Sequence, residues 1–135
     1  MFPVNRPALL VVVGSAGLAA AALAPVISSE SGSTLYRSYC ASCHGTSAKG
    51  DGPLAANLRT APSDLTRLAK RNHGKFDAEK VRRAIDGRDA REIHGGTDMP
   101  VWGDAFKRAG EGYDEAKVKE RINALVDHIA TLQER

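Results

Sequence analysis

Two cysteines and a histidine stand together at Cys40-Ala41-Ser42-Cys43-His44, and these are the only cysteines in the chain. On a helix, residues i, i+3 and i+4 share one face. A helical turn here would present both thiols and the His44 imidazole to one side. One planar macrocycle could then meet all three: each thiol can form a thioether with a vinyl group, and the imidazole can take the iron. C-x-x-C-H is the spacing of covalent c-type haem attachment. Two other chemistries fit a bare C-x-x-C, a redox dithiol and a structural disulfide. A thioredoxin-like dithiol should sit near a βαβ pattern, and the sequence offers no strand pattern.

A haem held on one side by His44 leaves a second axial position. The donors are Met99 and the remaining histidines, His73, His94 and His128. His128 lies beside the apolar stripe of a helix. His73 stands at a helix stop, where it could cap carbonyls. His94, in His94-Gly95-Gly96, is the serious rival. Met99 is preferred for its setting. Asp98-Met99-Pro100-Val101-Trp102-Gly103 reads as a loop, and a loop methionine is a weaker core filler than one on a helix stripe. Pro100 fixes its own φ and restricts Met99 to extended backbone, which would hold the thioether at one distance.

The elements that must position these groups read as helices. Ser33 is a candidate N-cap for a helix through Leu35, Tyr36, Tyr39 and Cys40, stopped by Gly45. Lys49-Gly50-Asp51-Gly52-Pro53 is a turn cluster. A second helix begins near Pro62-Ser63-Asp64, with Ser63 as cap and Leu65, Leu68 and Ala69 as its apolar face, and closes at Asn72-His73-Gly74. A third runs from an Asp77 cap, with Phe76 and Val81 as a hydrophobic staple, to Gly87. Val81, Ala84 and Ile85 point inward, and Arg82 and Arg83 read as a solvated face. The last helix, roughly Asp114 to Gln133, carries Val118, Ile122, Leu125, Val126, Ile129 and Leu132 at the offsets of one face. The expectation is an all-α domain of about four helices around one covalently attached haem, which would supply much of a small domain's apolar core.

Residues 1–28 read separately. Arg6 precedes an uncharged stretch, Ala8 to Ala24, dominated by Ala, Leu and Val. That is the form of an export signal. Cleavage could follow Ala24 or Ser28. Left uncut, Ala8 to Ile27 approaches the about 20 residues of a membrane span and would be an anchor. Both readings place residues 29–135, with a core of about 33–133, outside the cytoplasm, in the periplasm or tethered to the outer face of the membrane. Net charge is +3, with 26% charged residues of interleaved sign. Without a basic run or a basic-aromatic stripe, nucleic-acid binding is not expected.

Taken together, Cys40-Ala41-Ser42-Cys43-His44-Gly45 and the later Met99-Pro100 resemble the class I monohaem c-type cytochromes. The likeness extends from Leu35-Tyr36 to the C-terminal helix. It implies an all-α fold whose first and last helices cross beside the haem, with His44 and Met99 as axial ligands of a low-spin iron. Gly52-Pro53-Leu54 is similar to the family loop whose proline carbonyl accepts the N–H of the proximal histidine, which would make Pro53 the orienter of His44. Asp98 to Phe106 is similar to bacterial members with Met-Pro-x-Trp-Gly loops. Trp102 would pack on the haem or bond a propionate, with Arg59, Arg88 and Arg91 as further propionate candidates. The lysine-rich surface of the mitochondrial proteins is missing, so that docking mode does not carry over. The resemblance implies a single-electron carrier and not an enzyme. Its partners would be redox proteins: an oxidase, a quinol-oxidising complex or a periplasmic dehydrogenase, which the chain would serve as a carrier or as a fixed subunit. Two alternatives are a haem enzyme or gas sensor with a labile sixth ligand, and a haem-free C-x-x-C redox or metal-binding protein.

Overall fold

The computed structural model describes residues 30–88, 98–109 and 114–134. Among the described residues the secondary structure is entirely helical: α1 (Gly32–Tyr39), α2 (Ala41–His44), α3 (Leu68–Arg71), α4 (Ala78–Asp86), α5 (Trp102–Ala109) and α6 (Glu115–Thr131), with 3-10 turns at Ala55–Asn57 and Leu65–Arg67. The all-α expectation stands. The count of about four does not, because the first helix breaks at Cys40 and a helix occupies 102–109. The segment 1–28 lies outside the described residues. Among the described residues no helix is long and apolar enough to cross a membrane.

The core is assembled on α6, which packs against α1, α4 and α5. Its stripe is buried as the periodicity requires: Val118, Ile122, Leu125, Val126 and Ile129. Leu35 and Tyr36 of α1 and Phe106 of α5 close over it and are likewise buried. The α1–α6 crossing is set by one residue. A β-carbon on Gly32 would run into the Ala124 carbonyl oxygen and lie 2.9 Å from the His128 β-carbon. This contact moves the start of α1. Gly32 must lie inside the helix to reach α6, so the cap is Ser31, whose Oγ accepts the Thr34 N–H at 3.2 Å, rather than Ser33.

The other starts follow cap chemistry. Asp77 accepts the Lys80 N–H and Asp114 the Lys117 N–H, each at 2.9 Å. Gly87 ends α4 in the left-handed region, as expected of a C-terminal glycine. Before α3 the cap is Asp64, which accepts the Thr66 N–H at 2.9 Å, and not Ser63. The thiol-bearing turn takes the Ser63 carbonyl for another purpose, described below. Arg82 also departs from its solvated reading: its Nε donates to Asn123 of α6 at 2.7 Å and its guanidinium pairs with Glu79. It ties α4 to α6.

Asp98-Met99-Pro100-Val101 is non-helical, as expected. Trp102 and Gly103, read as loop, instead open α5. The reason is tertiary. Trp102 and Phe106, one turn apart, join Tyr39 of α1 in an aromatic cluster, with ring centroids 5.2–5.4 Å apart. The Arg121 guanidinium lies 4.9 Å from the Phe106 ring centre and pairs with Glu30. That packing holds a short helix that local sequence does not announce.

Candidate functional site: the Cys40–His44 turn and its supports

Cys40 ends α1 and begins α2. Its N–H donates to Tyr36 O at 2.9 Å, and its carbonyl accepts the N–H groups of Cys43 (3.2 Å) and His44 (2.9 Å). The i, i+3, i+4 turn read from the spacing is therefore made. Both cysteines are free thiols; Cys40 is buried and Cys43 half-buried. Burial, with the Cys43 thiol alongside, pushes the Cys40 thiol up to about 12.

A helix this short leaves its carbonyls in need of donors, and the loop after it supplies them in order. Gly45 N–H bonds to Ala41 O at 2.9 Å, Leu54 N–H to Ser42 O at 2.9 Å, Gly52 N–H to Cys43 O at 3.1 Å and Gly50 N–H to His44 O at 2.8 Å. The Tyr36 hydroxyl donates to Gly45 O at 2.8 Å in the interior. Every carbonyl from Ala41 to Gly45 is thus satisfied. Gly50-Asp51-Gly52 is more than the turn the sequence suggested. It is a backbone clamp on the motif, and its closeness needs glycine: a β-carbon on Gly52 would lie 2.6 Å from the Cys43 carbonyl. Ser47 Oγ donates to Asp51 Oδ1 at 2.9 Å and fixes the loop from within.

His44 is oriented from a different place than the resemblance implied. Its Nδ1 lies 3.0 Å from the carbonyl oxygen of Ser63. Pro53 therefore does not hold it in this structure. Pro53 falls between Gly52 and Leu54, both of which donate back to the motif, at a position of the clamp where no N–H is required. Ser63 is brought in by a second anchor: Leu65 N–H bonds to Ala48 O at 2.7 Å. A carbonyl only accepts, so Nδ1 carries the proton and Nε2 keeps its lone pair, the form of histidine that binds a metal. Burial also holds the His44 imidazole below its ordinary pKa and keeps it neutral.

Met99 is partly buried and packs against the cluster that contains Cys40, Leu35 and Tyr36. Trp102 packs against the same cluster, its ring tilted edge-on to Tyr39, the neighbour of Cys40. His73 is exposed after α3 in the left-handed region. His128 packs its ring on Tyr36 at 5.4 Å. His94 and Arg91 lie outside the described residues. Of the other propionate candidates, Arg88 is engaged on both carboxylate oxygens of Asp86 and of Glu115, and Arg59 pairs with Asp98 at 3.6 Å.

Two residues that matter here carried no clear signal. Ser63 acts through its main chain, which no side-chain type reveals. Asp98 had one hint, its place directly before Met99-Pro100.

Two free thiols and a tautomer-fixed imidazole on one clamped turn, in a small helical domain, define a c-type cytochrome module. The model of the family described as cytochrome c oxidase, cbb3-type, subunit III matches residues 28–129, and the chain belongs to that family. No curated protein and no solved structure matches the chain. Membership makes this an electron-transfer module carrying covalently bound haem c, not catalytic by itself. The residues of the turn fit that group: thiols for two thioethers and a neutral imidazole whose Nδ1 is engaged by Ser63.

Proposed function

We propose that Cys40 and Cys43 hold the haem as thioethers, that His44 Nε2 and the Met99 sulfur are its axial ligands, and that the domain carries single electrons between redox partners. The observation that supports this most is the Nδ1–Ser63 hydrogen bond, which prepares His44 as a ligand on the turn that bears both thiols. When bound, the haem supplies a one-electron ferric–ferrous couple. The protein's part is to keep both axial groups in place. Met99 favours the reduced state more than a second imidazole would, and the buried surroundings do the same by disfavouring added positive charge. Ser63 and the 50–54 clamp keep His44 from moving between the two states. Trp102 is the candidate for packing on the macrocycle or bonding a propionate.

The family points to an oxidase assembly as the setting. Residues 29–135 would form the cytochrome domain on the periplasmic side, delivered there by residues 1–28 as a cleaved signal or a retained anchor. Its donor would be a quinol-oxidising complex or a dehydrogenase, and its acceptor an oxidase.

Optical spectra of the exported holo-protein, oxidised and reduced, test the ligands. The wild type should be low-spin, with a far-red thioether-to-iron band in the ferric form. Met99→Ala should lose that band and gain a high-spin component that binds carbon monoxide. A low-spin His/Met spectrum surviving Met99→Ala would remove Met99 from the site. Haem staining on a denaturing gel, retained by wild type and lost from a Cys40→Ala/Cys43→Ala double variant, tests the covalent link.

A further inference from the structure

Met99 is strung between two attachments of different kinds. Downstream, the chain is held by packing. The Val101 α-carbon lies so close to Gly87 that a β-carbon there would stand 3.3 Å from it, and a β-carbon on Gly103 would collide with the Asp86–Arg88 pair. Upstream, the attachment is polar. Asp98 Oδ2 accepts the Arg59 N–H at 3.0 Å and the Thr60 N–H at 3.3 Å, while the Arg59 guanidinium stands 3.6 Å from Oδ1. The Asp98 side chain is only 23% exposed.

An exposed Arg–Asp pair alone would contribute little. The two main-chain donors are what make this contact directional. Charge-assisted bonds to backbone N–H groups are stronger than neutral ones. They fix the carboxylate to the backbone of the 58–60 bend, which lies outside any helix. The residue so fixed is the one before Met99. On the far side, Pro100 removes backbone freedom that could absorb a shift.

We propose that Asp98 is a positioning residue for Met99: by accepting the Arg59 and Thr60 amides it fixes the backbone entering Met99, and so keeps the thioether from swinging out of place. This rests on the reading of Met99 as an axial ligand. Asparagine would keep an acceptor oxygen but lose the charge; alanine would lose both.

The test uses ferric holo-protein with Asp98→Ala and Asp98→Asn. Added imidazole displaces the thioether, followed as loss of the far-red band, and hydrogen exchange is read at the Arg59 and Thr60 amides. Loss of two charge-assisted bonds should speed displacement about tenfold in Asp98→Ala. Arg59 and Thr60 amide exchange should rise with it, while exchange in α6 stays unchanged. Asp98→Asn should fall between the two. A merely structural role would lower the unfolding midpoint and leave the displacement rate alone. If Asp98→Ala does not fold, a displacement rate raised by about threefold in Asp98→Asn supports the proposal and a wild-type rate overturns it. A wild-type band with Asp98→Ala displaced at the wild-type rate overturns this proposal only. A wild-type protein without the band overturns the ligand reading and the proposal with it.

Discussion

The α1–α6 crossing and the loop side of the site are held by different forces. At the crossing, Leu35, Tyr36, Ile122, Leu125 and Val126 are buried, and two helix backbones approach through Gly32. Close packing of this kind is cooperative: a misfit anywhere is felt across the interface. On the loop side, few large side chains are buried. The chain is held by hydrogen bonds, those of residues 50–54 to the carbonyls of α2, of Ser63 to His44 and of Asp98 to the 59–60 amides. Bonds of this kind fail one at a time. On the proposed ligation, Met99, whose entering backbone hangs on the Asp98 bonds, would be lost ahead of the fold.

Three substitutions should expose that difference. The largest effect is expected from Gly32→Val. Its side chain has to displace a backbone carbonyl of α6, which should cost about 3 kcal/mol or more, read as a lower urea midpoint with all probes moving together. An intermediate effect is expected from Gln133→Ala. Gln133 Oε1 accepts the Ala69 N–H at 2.9 Å, and Nε2 donates to Leu65 O at 2.7 Å and Ile129 O at 2.9 Å. Its loss should cost roughly 2 kcal/mol. Hydrogen exchange should speed up over residues 65–69 before it changes at the crossing. If both regions loosened together, the division between them would be wrong.

The smallest effect is expected at Asp86. Its hydrogen bond from Arg88 holds its carboxyl below the usual range. A carboxyl with a lowered folded-state pKa contributes stability that is complete above its ordinary value of about 4 and drains away as pH falls through the lowered one. Thermal midpoints of the wild type should fall more steeply below about pH 4 than those of Asp86→Asn. With both side chains of the pair partly exposed, the difference should stay within about 1 kcal/mol. A pH profile unchanged by the substitution would remove this pair from the α4–α5–α6 junction.

Local chemistry made much of this legible in the sequence. Asp77, Gly87 and Asp114 bound their helices because caps act within one turn, and the stripe on α6 is buried because its period is long enough to read. The misses arise where distant contacts decide. Two serines near the start of α1 are equal by type, and Gly32, drawn against Ala124, selects Ser31. Trp102-Gly103 after a proline reads as loop until Tyr39 and Phe106 give the tryptophan somewhere to pack. The Cys40–His44 turn was readable because its chemistry is in side chains. Its supports were not, because Gly50, Gly52, Leu54 and Ser63 act through main-chain N–H and C=O groups, whose partners side-chain type does not reveal.

The closeness of Gly32 to Ala124 also bears on how the protein is matured. α1 carries the first thiol, and α6 is the last helix among the described residues, so the crossing closes only when most of the domain is in place. Such long-range pairing is slow to form. Once it has formed, Cys40 is buried and its thiol is in the least reactive state, with a pKa of about 12. With Cys40 as a haem thioether, attachment before α6 closes over α1 would meet a more accessible and more acidic thiol. The glycine that lets the helices meet is thus also what shuts the first thiol away.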